Sequence, residues 1–169
     1  MSLDSLDSLF VEELKDIYNG EKQILKALPR MDKAAASAEL QQAFTKHLKE
    51  TEGQVQRLER ILTDLGQPVR GKQCKGLSGI LEEGKEKLEE DQGPLLDAAL
   101  IASAQKVEHY EIATYGCLRT YAQLLGHTGA AKLLEQTLAE EEAADQKLTE
   151  LGEGGLNEAA LAAGGEAEE

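Results

Sequence analysis

Between Gly66 and Pro94 the chain reads GQPVRGKQCKGLSGILEEGKEKLEEDQGP. Five glycines inside this stretch, Gly71, Gly76, Gly79, Gly84 and Gly93, interrupt any long helix. Its apolar residues support only a short amphipathic helix, from about Leu77 to Glu90. On either side lie long runs of Ala, Leu, Glu, Lys and Gln, the strong helix formers, with three prolines in the whole chain and no β-branched alternation. The sequence predicts an all-α chain whose two halves are joined by a connection of about 28 residues.

Each half carries two helical stripes. The first helix, from about Asp4 to Ala36, places Phe10, Leu14, Ile17, Ile24, Leu28 and Met31 at the spacing of a bundle seam, and Pro29 is expected to kink or adjust it. The second, from about Ala38 to Leu65, repeats the stripe with Leu40, Phe44, Leu58, Ile61 and Leu65, and Gly66-Gln67-Pro68 ends it. After Pro94 a third helix runs to about Leu125 through Ile101, Ala104, Tyr115, Leu118, Ala122 and Leu125. Gly126-His127-Thr128-Gly129 is a turn, and a fourth helix from about Ala130 to Leu151 uses Leu134, Leu138 and Leu148. Two antiparallel helical hairpins joined by one long crossover containing a short helix define a ferritin-like four-helix bundle; an up-down bundle has no need of so long a connection. The bundle is expected over residues 1–151, with a mobile Ala/Gly/Glu-rich tail at 152–169.

Composition narrows the functions. The 169 residues are 41% hydrophobic with a formal charge of -14, from 18 Lys and Arg against 32 Asp and Glu. Such a surface repels phosphate backbones and anionic lipid, so neither nucleic acid nor membrane is an expected partner. Aromatics are 4% and Trp is absent, which leaves no base-stacking platform or aromatic sugar cleft. No run approaches the ~20 apolar residues of a membrane span. The start, Met1-Ser2-Leu3-Asp4, has no basic region or apolar block of a signal peptide, and Cys74 and Cys117 fit no metal spacing or disulfide framework. The expectation is a cytoplasmic protein with reduced thiols. Most of its acids read as solvated helix faces.

The exceptions interrupt the stripes. On the first helix the core-side position between Ile17 and Ile24 is Glu21; on the second, between Phe44 and Leu58, the positions are His47, Glu50 or Thr51, and Gln54. On the third they are Glu108 and Glu111, and on the fourth Glu141 and Asp145. Glu21 and Glu50 lie 29 residues apart and Glu108 and Glu141 33, each pair spanning a hairpin turn, so antiparallel partners fall at similar heights. No Lys or Arg occupies these core positions. Buried, uncompensated charge costs several kcal/mol per ion, so the cluster calls for cations. Two divalent metals offset Glu21, Glu50, Glu108 and Glu141; two ferric ions would also neutralise Glu111 and Asp145. Oxygen donors with at most one imidazole suit iron, or manganese, better than zinc or copper. His47 reads as a ligand or as a partner orienting one. His109 reads as an outer partner or surface residue, His127 as solvated, and Tyr18 and Tyr115 as core fillers. An empty cluster, protonated or filled with water, is the competing reading.

Further residues carry a family resemblance. Glu21-Lys22-Gln23 leading to Lys26-Ala27-Leu28-Pro29, His47-Leu48 with Glu50-Thr51, Ala98-Ala99-Leu100-Ile101-Ala102, Gln105 through Ala113, and Leu138 with Glu140-Glu141 and Ala144-Asp145 resemble the YciF/YciE-like bacterial stress proteins. The resemblance covers about residues 5 to 152. It implies a ferritin-like bundle, a di-metal site, homodimers and a link to stress responses. The sequence departs from the ferritin pattern of Glu-x-x-His on two helices, because Gly53 and Ala144 stand three residues after Glu50 and Glu141. Glu111, Asp145 and either His47 or Gln54 are then the residues available to complete the coordination. The functional expectation is a di-iron carboxylate protein that oxidises ferrous iron or consumes oxygen or peroxide. The alternative is a non-enzymatic structural or interaction protein whose metal only stabilises the bundle.

Overall fold

The structure, a computed structural model, describes residues 4–165. Among them are six α-helices and no strand: α1 (Leu6–Ala34), α2 (Ala38–Asp64), α3 (Lys75–Lys87), α4 (Pro94–Leu124), α5 (Thr128–Leu151) and α6 (Asn157–Gly165). Most stripe positions of the four long helices are buried as their spacing demands, while Leu65 and Leu125 at the helix ends are only partly buried. Phe10, Leu14, Ile17, Ile24, Leu28 and Met31 of α1 meet Leu40, Phe44, Leu58 and Ile61 of α2 in one core. That core continues through Leu100, Ile101, Tyr115 and Leu118 of α4 and Leu134, Leu138 and Leu148 of α5. The dominant pairings are α1 with α2 and α4 with α5, closed by α1 against α4 and α2 against α5. No helix among the described residues is long and apolar enough to cross a membrane.

The ends of the long helices have local causes. Ser5 and Ser8 exchange side-chain-to-backbone bonds of 3.1 Å, a reciprocal cap that starts α1. The α1–α2 turn is held from a distance: Asp97 of α4 accepts from the amides of Ala36 at 2.7 Å and Ser37 at 2.8 Å. Both α2 and α4 end in the same motif. Gly66 and Gly126 take φ of 65° and 76°, and Gln67 and His127 donate back to Leu62 and Ala122 at 2.8 Å. α1 runs on through Pro29, an exposed residue, so its missing donor falls on the water side.

Two expectations are corrected. The segment taken as a mobile tail carries α6, which packs along α4 after a wide turn at Gly152–Leu156, where Gly155 adopts φ 131°; residues 166–169 of that tail lie outside the described residues. His127 is not fully solvated but half-buried, stacked on the Phe10 ring with centroids 5.8 Å apart.

Candidate metal centre

Each of the four long helices sends polar side chains into the bundle where its apolar stripe is broken. Glu21 of α1, His47 and Gln54 of α2, Glu108 and Glu111 of α4, and Glu141 of α5 are all buried. His47, Glu108, Glu111 and Glu141 each place one ligand-type atom within 4.8 Å of all the others. The imidazole Nε2 of His47 stands 3.4 Å from Glu108 Oε1 and 3.7 Å from Glu141 Oε2. Glu21 lies behind this group, with Oε1 accepting a hydrogen bond from the Tyr115 hydroxyl.

Gln54, Glu50 and Asp145 occupy different positions. Gln54 is fully buried and donates to Glu141, and also to Glu140 Oε2 at 3.2 Å. Glu50 stands at the rim with its side chain 21% exposed, 3.0 Å from Lys46 Nζ and 3.7 Å from His47 Nδ1. The buried position beside it belongs to Thr51, whose hydroxyl returns to the backbone of His47. Asp145 is half-buried, bonded by Gln105 Nε2 at 3.1 Å and lying 3.2 Å from the exposed His109 Nε2. An outer layer escaped the sequence reading. Arg57 grips Glu140 with bonds of 2.8 and 2.6 Å and donates to Thr137 at 2.9 Å. Its signal was present in the spacing, since Arg57 follows Gln54 by three residues on one helix face.

The cluster is electrically unbalanced. Burial, reinforced by neighbouring Glu141, pushes the Glu21 carboxyl up to about 8; burial does the same to Glu108, where the charges of Glu21 and Asp145 add to it. Glu111 and Glu141 are raised well above the ordinary 4.5, again first by burial. Burial would depress His47, but its approach to Glu50 and the charges of Glu141 and Glu21 outweigh that and hold the imidazole above 6.5. Only His47 comes within ion-pairing distance of the buried carboxyls among the described residues. Nine side-chain atoms among the described residues are buried without a hydrogen-bond partner, and seven of them belong to this group: Glu21 Oε2, both His47 ring nitrogens, Glu108 Oε2, both Glu111 oxygens and Glu141 Oε2. The other two are the neighbouring Gln54 Oε1 and, away from the site, Arg119 Nε. Orphaned carboxylate oxygens and an orphaned imidazole facing one another fit a bound cation, which satisfies lone pairs and charge together.

A cavity of about 30 Å³ reaches this group from the surface between α2 and α5. Buried His47 and Glu108 line its inner end, half-buried Ala43, Glu50 and Ala144 its sides, and exposed Lys46 and Lys147 its mouth.

Fold and site together define a helical-bundle protein with a buried carboxylate–imidazole cluster of metal-ligating composition. The chain belongs to the family described as "Domain of unknown function (DUF892)", whose model matches residues 5–161. It is 42% identical to Protein YciF of Escherichia coli (strain K12) over 162 residues, 95% of this chain and 98% of that one. The crystal structure of the E. coli stress protein YciF superposes with a TM-score of 0.86, covering 91% of this chain and 98% of that one at 42% identity. The Rhodopseudomonas palustris protein YcfI gives 0.84 at 42% identity, covering 88% and 95%. A Xanthomonas campestris protein at 22% identity, with a TM-score of 0.73 and 97% and 99% coverage, shares the fold.

Proposed function

We propose that the chain is a ferritin-like di-metal carboxylate protein of the bacterial stress response, holding two iron ions, or manganese in their place, inside the bundle. The observation that carries this reading is the set of seven buried, unpartnered donor atoms on Glu21, His47, Glu108, Glu111 and Glu141. The ferritin-like topology is supported by the pairing of α1 with α2 and α4 with α5, each across a short turn, with the long connection between the pairs. Metal would be held by His47, Glu108, Glu111 and Glu141 with Glu21 behind them, while Glu50, Gln54 and Asp145 border the site. Bound ferrous iron supplies the electrons to reduce oxygen or peroxide. The chain's own residues have separate tasks. Tyr115 orients Glu21, Gln54 orients Glu141, and the apolar walls exclude bulk water. Raised carboxyls hold protons until a cation displaces them. The protein is taken to act in the cytoplasm as a homodimer, with a small oxidant as its partner.

A second reading has an observation in its favour. The cluster draws on α1, α2, α4 and α5, so one filled centre ties every long helix to the others. A metal in that position could serve stability alone.

The deciding experiment is metal content per chain by mass spectrometry, on protein from iron-replete medium, beside a Glu108→Ala/Glu141→Ala variant. About two iron or manganese atoms, lost in the variant, are expected. A stably folded wild type without metal would overturn the proposal. Oxygen uptake on adding ferrous iron then separates turnover from a structural metal, which predicts none.

A further inference from the structure

The crossover helix α3 is fastened unevenly. At its start Leu77 is fully buried, and a Cβ added at Gly20 would strike its side chain. A Cβ on Gly76 would come within 2.6 Å of the Tyr110 ring. Farther along, Gly84 still runs beside Ser103 of α4, where a Cβ would sit 3.5 Å from the serine Cβ. α3 therefore follows α4 along its length. From α1 it stands away, and the gap is a cavity of about 500 Å³, floored by Ser103 and Val107 of α4. That volume lies in the range of small-molecule sites, roughly 300–1,000 Å³.

The chemistry of this gap differs from that of the rest of the surface. Ala27, Met31, Ile80, Leu81, Leu88 and Val107 give it an apolar interior. The stripe that should seat α3 against α1 explains this: beyond Leu77, its members Ile80, Leu81 and Leu88 are only partly buried. Both lips are basic. Lys26 and Arg30 project from α1 one turn apart, and Lys85 stands on α3, against a single lining carboxylate, Glu82. None of the three cations enters an ion pair among the described residues. In a chain of net charge -14, a cleft with three free cations and one acid is a local reversal of sign.

We propose that the cleft between α1 and α3 binds an amphipathic organic anion, a carboxylate with an aliphatic body, whose head is held by Lys26, Arg30 and Lys85 and whose tail lies on Met31, Leu81 and Val107. Apolar surface supplies the affinity and the paired basic lips the preference for an anion. The site is separate from the metal centre, and its binding is expected with or without metal.

Isothermal titration with dodecanoate, kept below its micelle concentration, tests this, with dodecyltrimethylammonium as the same body bearing the opposite charge. The expected result is saturable binding of one dodecanoate per chain and none of the ammonium compound. Arg30→Glu/Lys85→Glu should weaken dodecanoate by about tenfold or more. Ala27→Trp, which fills the interior, should abolish binding, and both variants should keep the wild-type thermal midpoint. Equal binding of the two amphiphiles, or no dodecanoate binding, overturns the proposal. So does a charge-reversed double variant that binds as wild type. A double variant that turns a dimer into a monomer, with no dodecanoate binding in the wild type, assigns the cleft to a second copy of the chain and overturns it equally.

Discussion

Tyr115 of α4 donates its phenolic hydrogen bond to Glu21 of α1, across the seam between the two halves of the bundle. Burial, then the charges of Glu21 and Glu111, raise the Tyr115 hydroxyl well above its ordinary 10, so it remains a donor at every working pH. Tyr115→Phe keeps the ring and leaves Glu21 Oε1 without a partner. The metal-free protein should lose about 1–3 kcal/mol, the usual penalty for an orphaned buried acceptor. Urea unfolding under chelation measures it, and an unchanged midpoint would show that the bond contributes nothing.

The carboxyl cluster makes stability depend on pH in an unusual sense. Glu21 and Glu108 are raised to about 8, and Glu111, Glu141 and His47 are raised in the same direction. The folded chain therefore binds more protons than the unfolded chain above 4.5, and stability falls as pH rises. For Glu21 and Glu108 that contribution is complete below 4.5 and withdrawn as pH passes through about 8. Unfolding midpoints of chelated protein at pH 5.5, 7 and 8.5 should decrease in that order. Saturating manganese should flatten the series, because the cation replaces the protons. A rising midpoint without metal would contradict the assignment of these groups.

Glu111 has both carboxyl oxygens buried and unpartnered. Glu111→Gln removes a buried carboxyl that must hold a proton or a cation, and it also removes a ligand. The two effects have opposite signs. At pH 8.5 the metal-free variant should melt above the wild type, while its metal affinity drops by about tenfold or more. Paired thermal melts and metal titrations check both. A variant destabilised without metal and unaltered in affinity would mean that Glu111 is a packing residue.

Arg57 supports the centre through others: it clamps Glu140, which shares Gln54 with Glu141. Arg57→Ala should cost about 1–3 kcal/mol in stability and weaken metal binding by about 10- to 100-fold, the usual range for groups that orient ligands. Arg57→Lys should restore little, since an ammonium cannot reach both Glu140 oxygens and Thr137 in one plane. Full rescue by lysine would reduce the residue to a simple charge.

Much of the helical frame is legible because periodicity is a local property. Phe10, Leu14, Ile17 and Ile24 are buried because a 3.6-residue repeat aligns them, whatever they face. The breaks in those repeats likewise mark Glu21, Glu108, Glu111 and Glu141 as buried acids. Neighbouring positions are harder to separate. Glu50 and Thr51 sit about 100° apart around α2, and which of them turns inward is set by the helices packed against α2, absent from any single stripe: Thr51 is buried and Glu50 stays at the rim. Asp145 follows Glu141 by one turn, yet Gln105 from another helix fixes where its carboxylate ends. α6 was illegible for a related reason. Its glycine-rich approach resembles a terminus, and the packing that orders it comes from α4.

The narrow opening between α2 and α5 bears on how the centre would exchange what it holds. At about 30 Å³ it has room for a water or two or an ion stripped of most of its shell, and none for a polydentate chelator. A chelator could then capture metal only after the metal had left unaided. Raising its concentration would clear the solution without hastening departure, and the first-order escape past His47, Glu50 and Ala144 would set the lifetime of the loaded state.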